Sequence, residues 1–254
     1  TDPNGSSTHY VQTSDGIIID ITANTATTIT FASDVSSLIS ADDSITIKKH
    51  STLADLLGSD NAIGLTSGGD VTSSDVVYVM SGDGAGSYSS YYYQTDPFGG
   101  VLGGDGWRIA GNSRADMSGV TIASDDGVIV KRISAGDLTR VVSGTVNTND
   151  HRRDLPAGFS LISYPFPVDT TLDDSGIYSA SNGDVSGSDI TTSDAVYVIS
   201  PAGSFTLYYR QTDPFGGFLG GDGWRIAGDS STDVGSTTIE AGSSLIINHR
   251  GSGL

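Results

Sequence analysis

The stretch QTDPFGGVLGGDGWRIAG, residues 94–111, recurs as QTDPFGGFLGGDGWRIAG, residues 211–228. Seventeen of its eighteen positions are identical, and the exception is Val101 against Phe218. Each copy holds six glycines, an Asp-Pro pair, an Asp-Gly pair and a closing GWRIA segment. Proline fixes φ at the start of a turn, and glycine accepts φ > 0 at its end at low cost. The stretch therefore reads as a long hairpin connection between a Tyr-rich strand and a Trp-bearing strand. Val101 and Phe218 mark its tip.

Working outward, the likeness continues more weakly on both sides. SDVVYVMS (74–81) matches SDAVYVIS (193–200) at an offset of 119, against 117 for the block itself. The two extra residues fall in GDGAGSYSS against PAGSFTL, where a hairpin loop absorbs them. Upstream, STLAD (51–55) matches TTLDD (170–174), and downstream VTIASDDGVIVKR (120–132) aligns with TTIEAGSSLIINH (237–249). An internal repeat of about eighty residues organises the chain. Short β-branched and aromatic runs such as GIIIDIT, SITIK, DVVYVM, GVIVK, FTLYYRQ and SLIINH are bounded by Gly, Asp or Ser. That pattern predicts strands joined by turns. A single helical turn is expected at residues 51–57, with Ser51 as its N-cap.

The expected fold is all-β: two tandem related sandwich- or barrel-like domains arising from an internal duplication. Residues 1–15 read as an N-terminal arm and a candidate donor strand. Residues 16–146 read as the first domain, with repeat unit 51–133. Residues 147–254 read as the second, with repeat unit 170–250. The boundary is expected in the polar stretch 143–158. The first repeat is followed by a further strand, DLTRVVSGTV (137–146), which the second repeat lacks. A missing strand predicts an open sheet edge, which is a template for pairing.

Composition narrows the function. The chain has 254 residues, 34 Gly, no Cys and only three Lys. Twenty-nine of its thirty acidic residues are Asp, and Glu240 is the exception. Asp competes for nearby backbone groups and so favours turns over helix interiors. A formal charge of −18 argues against nucleic acid or an anionic membrane as partner, since both need basic patches. The absence of Cys excludes thiolate metal sites and cysteine nucleophiles. No apolar run approaches the ~20 residues that cross a bilayer. The chain opens at Thr1 without a Met and reads as a processed mature form or a trimmed piece of one.

Catalytic signatures are missing. There is no G-x-S-x-G, no H-E-x-x-H and no Walker A. The four histidines (His9, His50, His151 and His249) are scattered and read as exposed or loop residues. Only His249 lies in a matched segment, where its counterpart is Arg132. The chain is therefore expected not to be an enzyme and to need no cofactor, calcium being the one cation worth testing. Asp96 and Asp105, repeated as Asp213 and Asp222, could present oxygens to a hard cation. Turn chemistry is the stronger reading of the same four residues.

Trp107 and Trp224 are the only tryptophans and occupy matching places. Alternation in GWRIA sets Trp107 with Ile109 on one face and Arg108 on the other, so both tryptophans read as core anchors. In YYYQ, Tyr92 must face away from Tyr91 and Tyr93. Tyr92 and Tyr209, with the block residues Phe98, Phe215, Val101 and Phe218, are the candidates for glycan or partner contact.

Taken in order, ITANTATTITF (21–31), HSTLADLLG (50–58), the Tyr-rich strand leading to GWRIAG, and GVIVKRISAGDLTRVVSGTV (127–146) resemble a family of secreted β-rich repeat proteins known mainly from verrucomicrobial bacteria. The resemblance covers residues 16–146 and returns weakly afterwards. It implies export and carries over no ligand or catalytic residue. The functional expectation is an extracellular or cell-surface structural protein. It would assemble with itself into a filament or surface layer, by strand addition between subunits. The alternative is a secreted carbohydrate-binding adhesin with one site per repeat, whose partners would be surface glycans.

Overall fold

The computed structural model describes residues 2–3, 5–80, 85–124, 126–134, 136–139, 155–164, 166–180, 183–200, 202–213, 215–218 and 220–251. The fold is all-β. The strands of the first half are β1 (His9–Thr13), β2 (Ile18–Asp20), β3 (Ala23–Asn24), β4 (Ile29–Thr30), β5 (Ile45–Lys49), β6 (Ser51–Thr52), β7 (Val76–Met80), β8 (Tyr88–Gln94), β9 (Gly106–Ile109), β10 (Thr121–Ile122) and β11 (Val128–Lys131). Then come β12 (Gly158–Ser163), β13 (Thr170–Thr171), β14 (Ala195–Ile199), β15 (Phe205–Gln211), β16 (Gly223–Ile226), β17 (Thr238–Ile239) and β18 (Ser244–His249). One short helix, α1 (Leu53–Leu57), follows β6. Its N-cap is Thr52 rather than the expected Ser51. The Thr52 hydroxyl accepts from the Asp55 amide, and the Asp55 carboxylate accepts from the Thr52 amide, a reciprocal capping box.

The strands form sheets in the orders β2-β1-β5, β3-β4, β10-β6, β11-β7-β8-β9, β12-β18-β14-β15-β16 and β13-β17. The chain divides into two compact units. One comprises residues 1–79, 89–124 and 129–153; the other comprises 80–88, 125–128 and 154–254. Two short pieces of the first repeat thus belong to the second unit. Within that unit they meet β12: Ala85 bridges Phe159, Asp126 bridges Ile162, and the Gly127 amide donates to the Leu161 carbonyl. Gly127 is required there because a Cβ would lie 2.9 Å from Leu161 Cγ and 3.0 Å from the Ile162 carbonyl.

Matched elements adopt matched registers. Tyr91 faces Ile109 and Tyr92 faces Arg108 across β8 and β9; Tyr208 faces Ile226 and Tyr209 faces Arg225 across β15 and β16. Thr52 faces Thr121, as Thr171 faces Thr238. The helix is not repeated, because the second half has Leu-Asp-Asp-Ser-Gly in place of Leu-Ala-Asp-Leu-Leu, and Gly176 turns left-handed at φ 69°.

Two expectations about edges are corrected. The arm is not a donor strand: β1 is central in its sheet, paired to β2 on one side and β5 on the other. Val11 is fully buried there and adjacent Tyr10 nearly so, so both faces of β1 are covered. The Asp2 carboxylate also accepts from the Thr121 amide at 2.6 Å. Nor is β18 an open edge, for β12 pairs with it along six residues, from Gly158↔His249 to Ser163↔Ser244. The strand that covers β18, β12, comes from the segment preceding the second repeat. Residues 140–146 of the expected strand, His151, and most of the expected boundary lie outside the described residues.

Candidate functional site

The site begins with the backbone of the repeated block. All six glycines of the first copy have positive φ: 65° at Gly99, 101° at Gly100, 96° at Gly103, 79° at Gly104, 144° at Gly106 and 85° at Gly111. The second copy repeats this with 66°, 103°, 90°, 82°, 154° and 93°. A side chain at any of these positions would strain the backbone. At Gly103 and Gly220 it would also meet a neighbouring backbone, at 3.0 Å and 2.9 Å respectively. This accounts for the identity of the six glycine positions between the copies.

Carboxylates staple the loop from within. Asp96 Oδ1 accepts from the Phe98 amide at 2.8 Å, and Oδ2 from the Leu102 and Gly104 amides at 2.8 and 3.0 Å. Asp105 Oδ1 accepts from the Asp96 amide at 2.8 Å. In the second copy Asp213 accepts from the Phe215, Gly217 and Gly221 amides, and Asp222 from the Asp213 amide. Desolvation opposes the charged form of Asp96, but the converging amides outweigh it and hold its carboxyl below the usual range. Backbone N–H groups thus engage both oxygens of Asp96 and Asp213 and one oxygen each of Asp105 and Asp222, which is the turn chemistry expected of these residues.

Below the loop sits a buried polar floor that sequence reasoning missed. Gln94 and Gln211 are fully buried. Gln94 Nε2 donates to the Leu102, Gly104 and Ser113 carbonyls at 2.7, 2.9 and 3.2 Å. Arg108 and Arg225 are 3% and 0% exposed, where strand alternation alone placed an arginine toward water. Arg108 donates to the carbonyls of Trp107, Gly103 and Gly104, each at 2.9 Å. Arg225 donates to those of Trp224, Gly220, Gly221 and Ser230, all within 2.9 Å. Their carboxylate contacts lie outside the block, at 4.0 Å to Asp116 and 3.6 Å to Asp233. Left-handed glycines turn carbonyl oxygens inward, and the guanidinium fork collects them. The only sequence signal was a charged residue on a strand with no facing charge.

Trp107 is fully buried, its Nε1 donating to the Gly58 carbonyl at 2.8 Å, with Tyr93 edge-on at 5.6 Å. Trp224 lies in the second core with Leu172, Val196, Tyr208, Ile239 and Leu245, and Tyr178 stands edge-on to it. Tyr92 and Tyr209 correct the expectation of an aromatic shelf: both are 3% exposed. Both faces of β8 are covered, since Tyr91 is buried as well. The Tyr92 hydroxyl sits 3.4 Å from Gln94 Oε1, as Tyr209 does from Gln211 Oε1, and desolvation raises both phenol pKa values. No glycan can stack on these rings.

What the floor and staples present to solvent is a short apolar tip. Phe98 and Val101 are each 65% exposed, Phe215 is 68% and Phe218 85%. One such tip stands in each unit. A groove of about 540 Å³ lies elsewhere in the first unit, lined by Ile21, Ile29, Ile47 and the Thr-rich hairpin of β3 and β4. Ile47 is 55% exposed, and among the described residues β5 has a strand partner on one side only.

A second polar centre differs between the halves. Asp75 is fully buried, accepting from the Ile133 and Thr66 amides at 2.8 and 2.9 Å and from Arg132 Nε at 3.4 Å. The matching Asp194 accepts from the Arg250 and Val185 amides at 2.6 and 2.9 Å, and lies 3.0 Å from His249 Nδ1. Asp184 joins that group, 3.9 Å from the same nitrogen. His249 is thus 7% exposed and His50, paired with Asp20 and packed on Tyr10, is 2% exposed, correcting the reading of both as surface histidines. Among the described residues no helix is long and apolar enough to cross a membrane. No family model, no curated protein and no solved structure matches the chain.

Proposed function

We propose that the chain is an extracellular structural protein that assembles with copies of itself, and that the two loop tips are its contact points. The observation that carries this reading is the exposure of Phe98, Val101, Phe215 and Phe218 on loops held by buried side chains. Burying one such aromatic in a partner is worth about 1.5–3 kcal/mol, and a preordered loop loses little entropy on docking. The receiving surface is the groove beside β5, with Ile47 on its wall. A tip and a groove at different places on one chain make a head-to-tail contact, which propagates unless rotation closes it into a ring. The charge of −18 opposes association at low ionic strength, so added salt favours it.

Light scattering and electron microscopy at low and high salt test the reading. Wild type should form oligomers or filaments at high salt. Phe98→Ser with Phe215→Ser and Phe218→Ser should remain monomeric with an unchanged circular dichroism spectrum, as should Ile47→Asp. A wild type that stays monomeric at high concentration in both salts would sink the proposal.

A further inference from the structure

We infer that Asp184, Asp194 and His249 form a binding site for one borderline divalent cation of the zinc class. The site occupies the position that an arginine fills in the first unit. In that unit one buried carboxylate, Asp75, faces one permanent cation, Arg132. In the second unit the arginine is replaced by His249 and a further carboxylate, Asp184, has entered. Two carboxylates that are 19% and 10% exposed now surround a single imidazole. The neighbouring Arg250 does not neutralise them, because its guanidinium is directed to the Ser193 and Ile190 carbonyls. Buried like charges need a counter-charge, and the fold that supplies a guanidinium in one half supplies a ligand set in the other.

The geometry suits a small ion. The three donor atoms, one per residue, lie within 4.8 Å of one another. Tetrahedral ligands at the ~2.0–2.2 Å reach of zinc stand roughly 3.3–3.6 Å apart. The 3.0 and 3.9 Å separations of Asp194 and Asp184 from His249 Nδ1 bracket that spacing, and binding would draw the carboxylates together. Backbone amides already orient the carboxylates. Ser179 N–H holds Asp184 Oδ2, leaving Oδ1 toward the imidazole. The Arg250 amide holds Asp194 Oδ1, and Val185 N–H steadies Oδ2 on the side of His249. Such amides are the outer hydrogen bonds that fix ligand direction in metal sites. A nitrogen donor beside two oxygens favours zinc, cobalt or nickel over calcium, which prefers six or more oxygens. Once bound, the ion would tie the end of β18 to the start of β14, as the Asp75–Arg132 pair ties β7 to the segment after β11.

The test uses the full chain after chelator treatment. Isothermal titration with Zn²⁺, and with Ca²⁺ as control, should give one tight site per chain for Zn²⁺ and none at this position for Ca²⁺. Zn²⁺ should raise the midpoint of thermal unfolding, and Co²⁺ should give a visible d–d band of a low-coordinate site. Asp184→Asn should weaken Zn²⁺ binding by about 100-fold or more. His249→Arg, which rebuilds the chemistry of the first unit, should fold cooperatively and lose both the Zn²⁺ shift and the Co²⁺ band. Wild type with no Zn²⁺ binding overturns the inference. So does binding of equal affinity in the folded His249→Arg variant. If Asp184→Asn does not fold, His249→Arg and the Co²⁺ spectrum decide.

Discussion

Gln94 and Arg108 share an acceptor: each donates to the carbonyl of Gly104, at 2.9 Å. Gln211 and Arg225 share the Gly221 carbonyl in the same way, at 2.9 and 2.8 Å. A neutral amide and a guanidinium from facing strands thus converge on one left-handed glycine. The arrangement makes the loop conformation a property of the buried floor.

Removing the cation should be costly. Arg225→Met keeps the aliphatic stem but leaves the Gly220 carbonyl without a donor among the contacts described, while the Trp224 and Ser230 carbonyls keep only the Val234 amide and Gln211 Nε2. Hydrogen bonds to a charged group are worth about 1.5–3 kcal/mol and a buried unpaired acceptor costs about 1–3 kcal/mol. Urea denaturation should show a matching fall in stability, and Arg225→Lys should not restore it, because an ammonium lacks the planar fork. A loss below about 1 kcal/mol would show that water replaces the guanidinium.

The glycines should separate into two grades. Gly220→Ala combines φ 90° with a Cβ 2.9 Å from the Ser231 carbonyl, whereas Gly217→Ala at φ 103° meets nothing within 4 Å. Left-handed strain costs about 1–2 kcal/mol for a non-glycine residue. Gly217→Ala should show that cost alone and Gly220→Ala clearly more, measured by the urea midpoint at unchanged slope.

Tyr92 should behave as a core residue. Tyr92→Phe removes only a hydroxyl whose contacts are 3.4 Å long, and should change stability by less than about 1 kcal/mol. Tyr92→Ala should cost about 3–5 kcal/mol, as truncation of a buried aromatic does. Retention of full stability in Tyr92→Ala would return the ring to the surface.

Acid should loosen the staples. The Asp96 pKa is held below its ordinary value of 3.8 in the folded chain. Its contribution is therefore fully present above the unfolded value and fades as pH falls through the lower folded one. The protection factors of the Leu102 and Gly104 amides, relative to their intrinsic exchange rates, should fall below about pH 4, and Asp96→Asn should show the lower protection already at neutral pH. Protection factors that stay flat through this pH range in wild type would remove the carboxylate from this role.

Much of the fold was legible because its signals are local. Strand runs, Gly-rich turns and the Asp-Pro and Asp-Gly corners depend on φ preferences and alternation over a few residues, and β7, β8, β9, β14, β15 and β16 lie where those signals put them. The exposed tips Phe98, Val101, Phe215 and Phe218 were legible for the same reason, since a loop apex flanked by glycines has nothing nearby to cover it. His249 against Arg132 was visible as a mismatch, but nothing in the sequence brought Asp184 to it.

The sequence by itself determined the all-β character, the matched segments and the glycine-locked block. Those follow from backbone preferences that act at short range. Only the tertiary structure decided that β12 covers β18, that β1 lies between two strands, and that Tyr92, Arg108 and Arg225 are buried. Alternation says which residues share a face. Whether that face meets water depends on chain arriving from far away, and the buried arginines become tolerable because the left-handed glycines of their own loops fold carbonyls onto the fork.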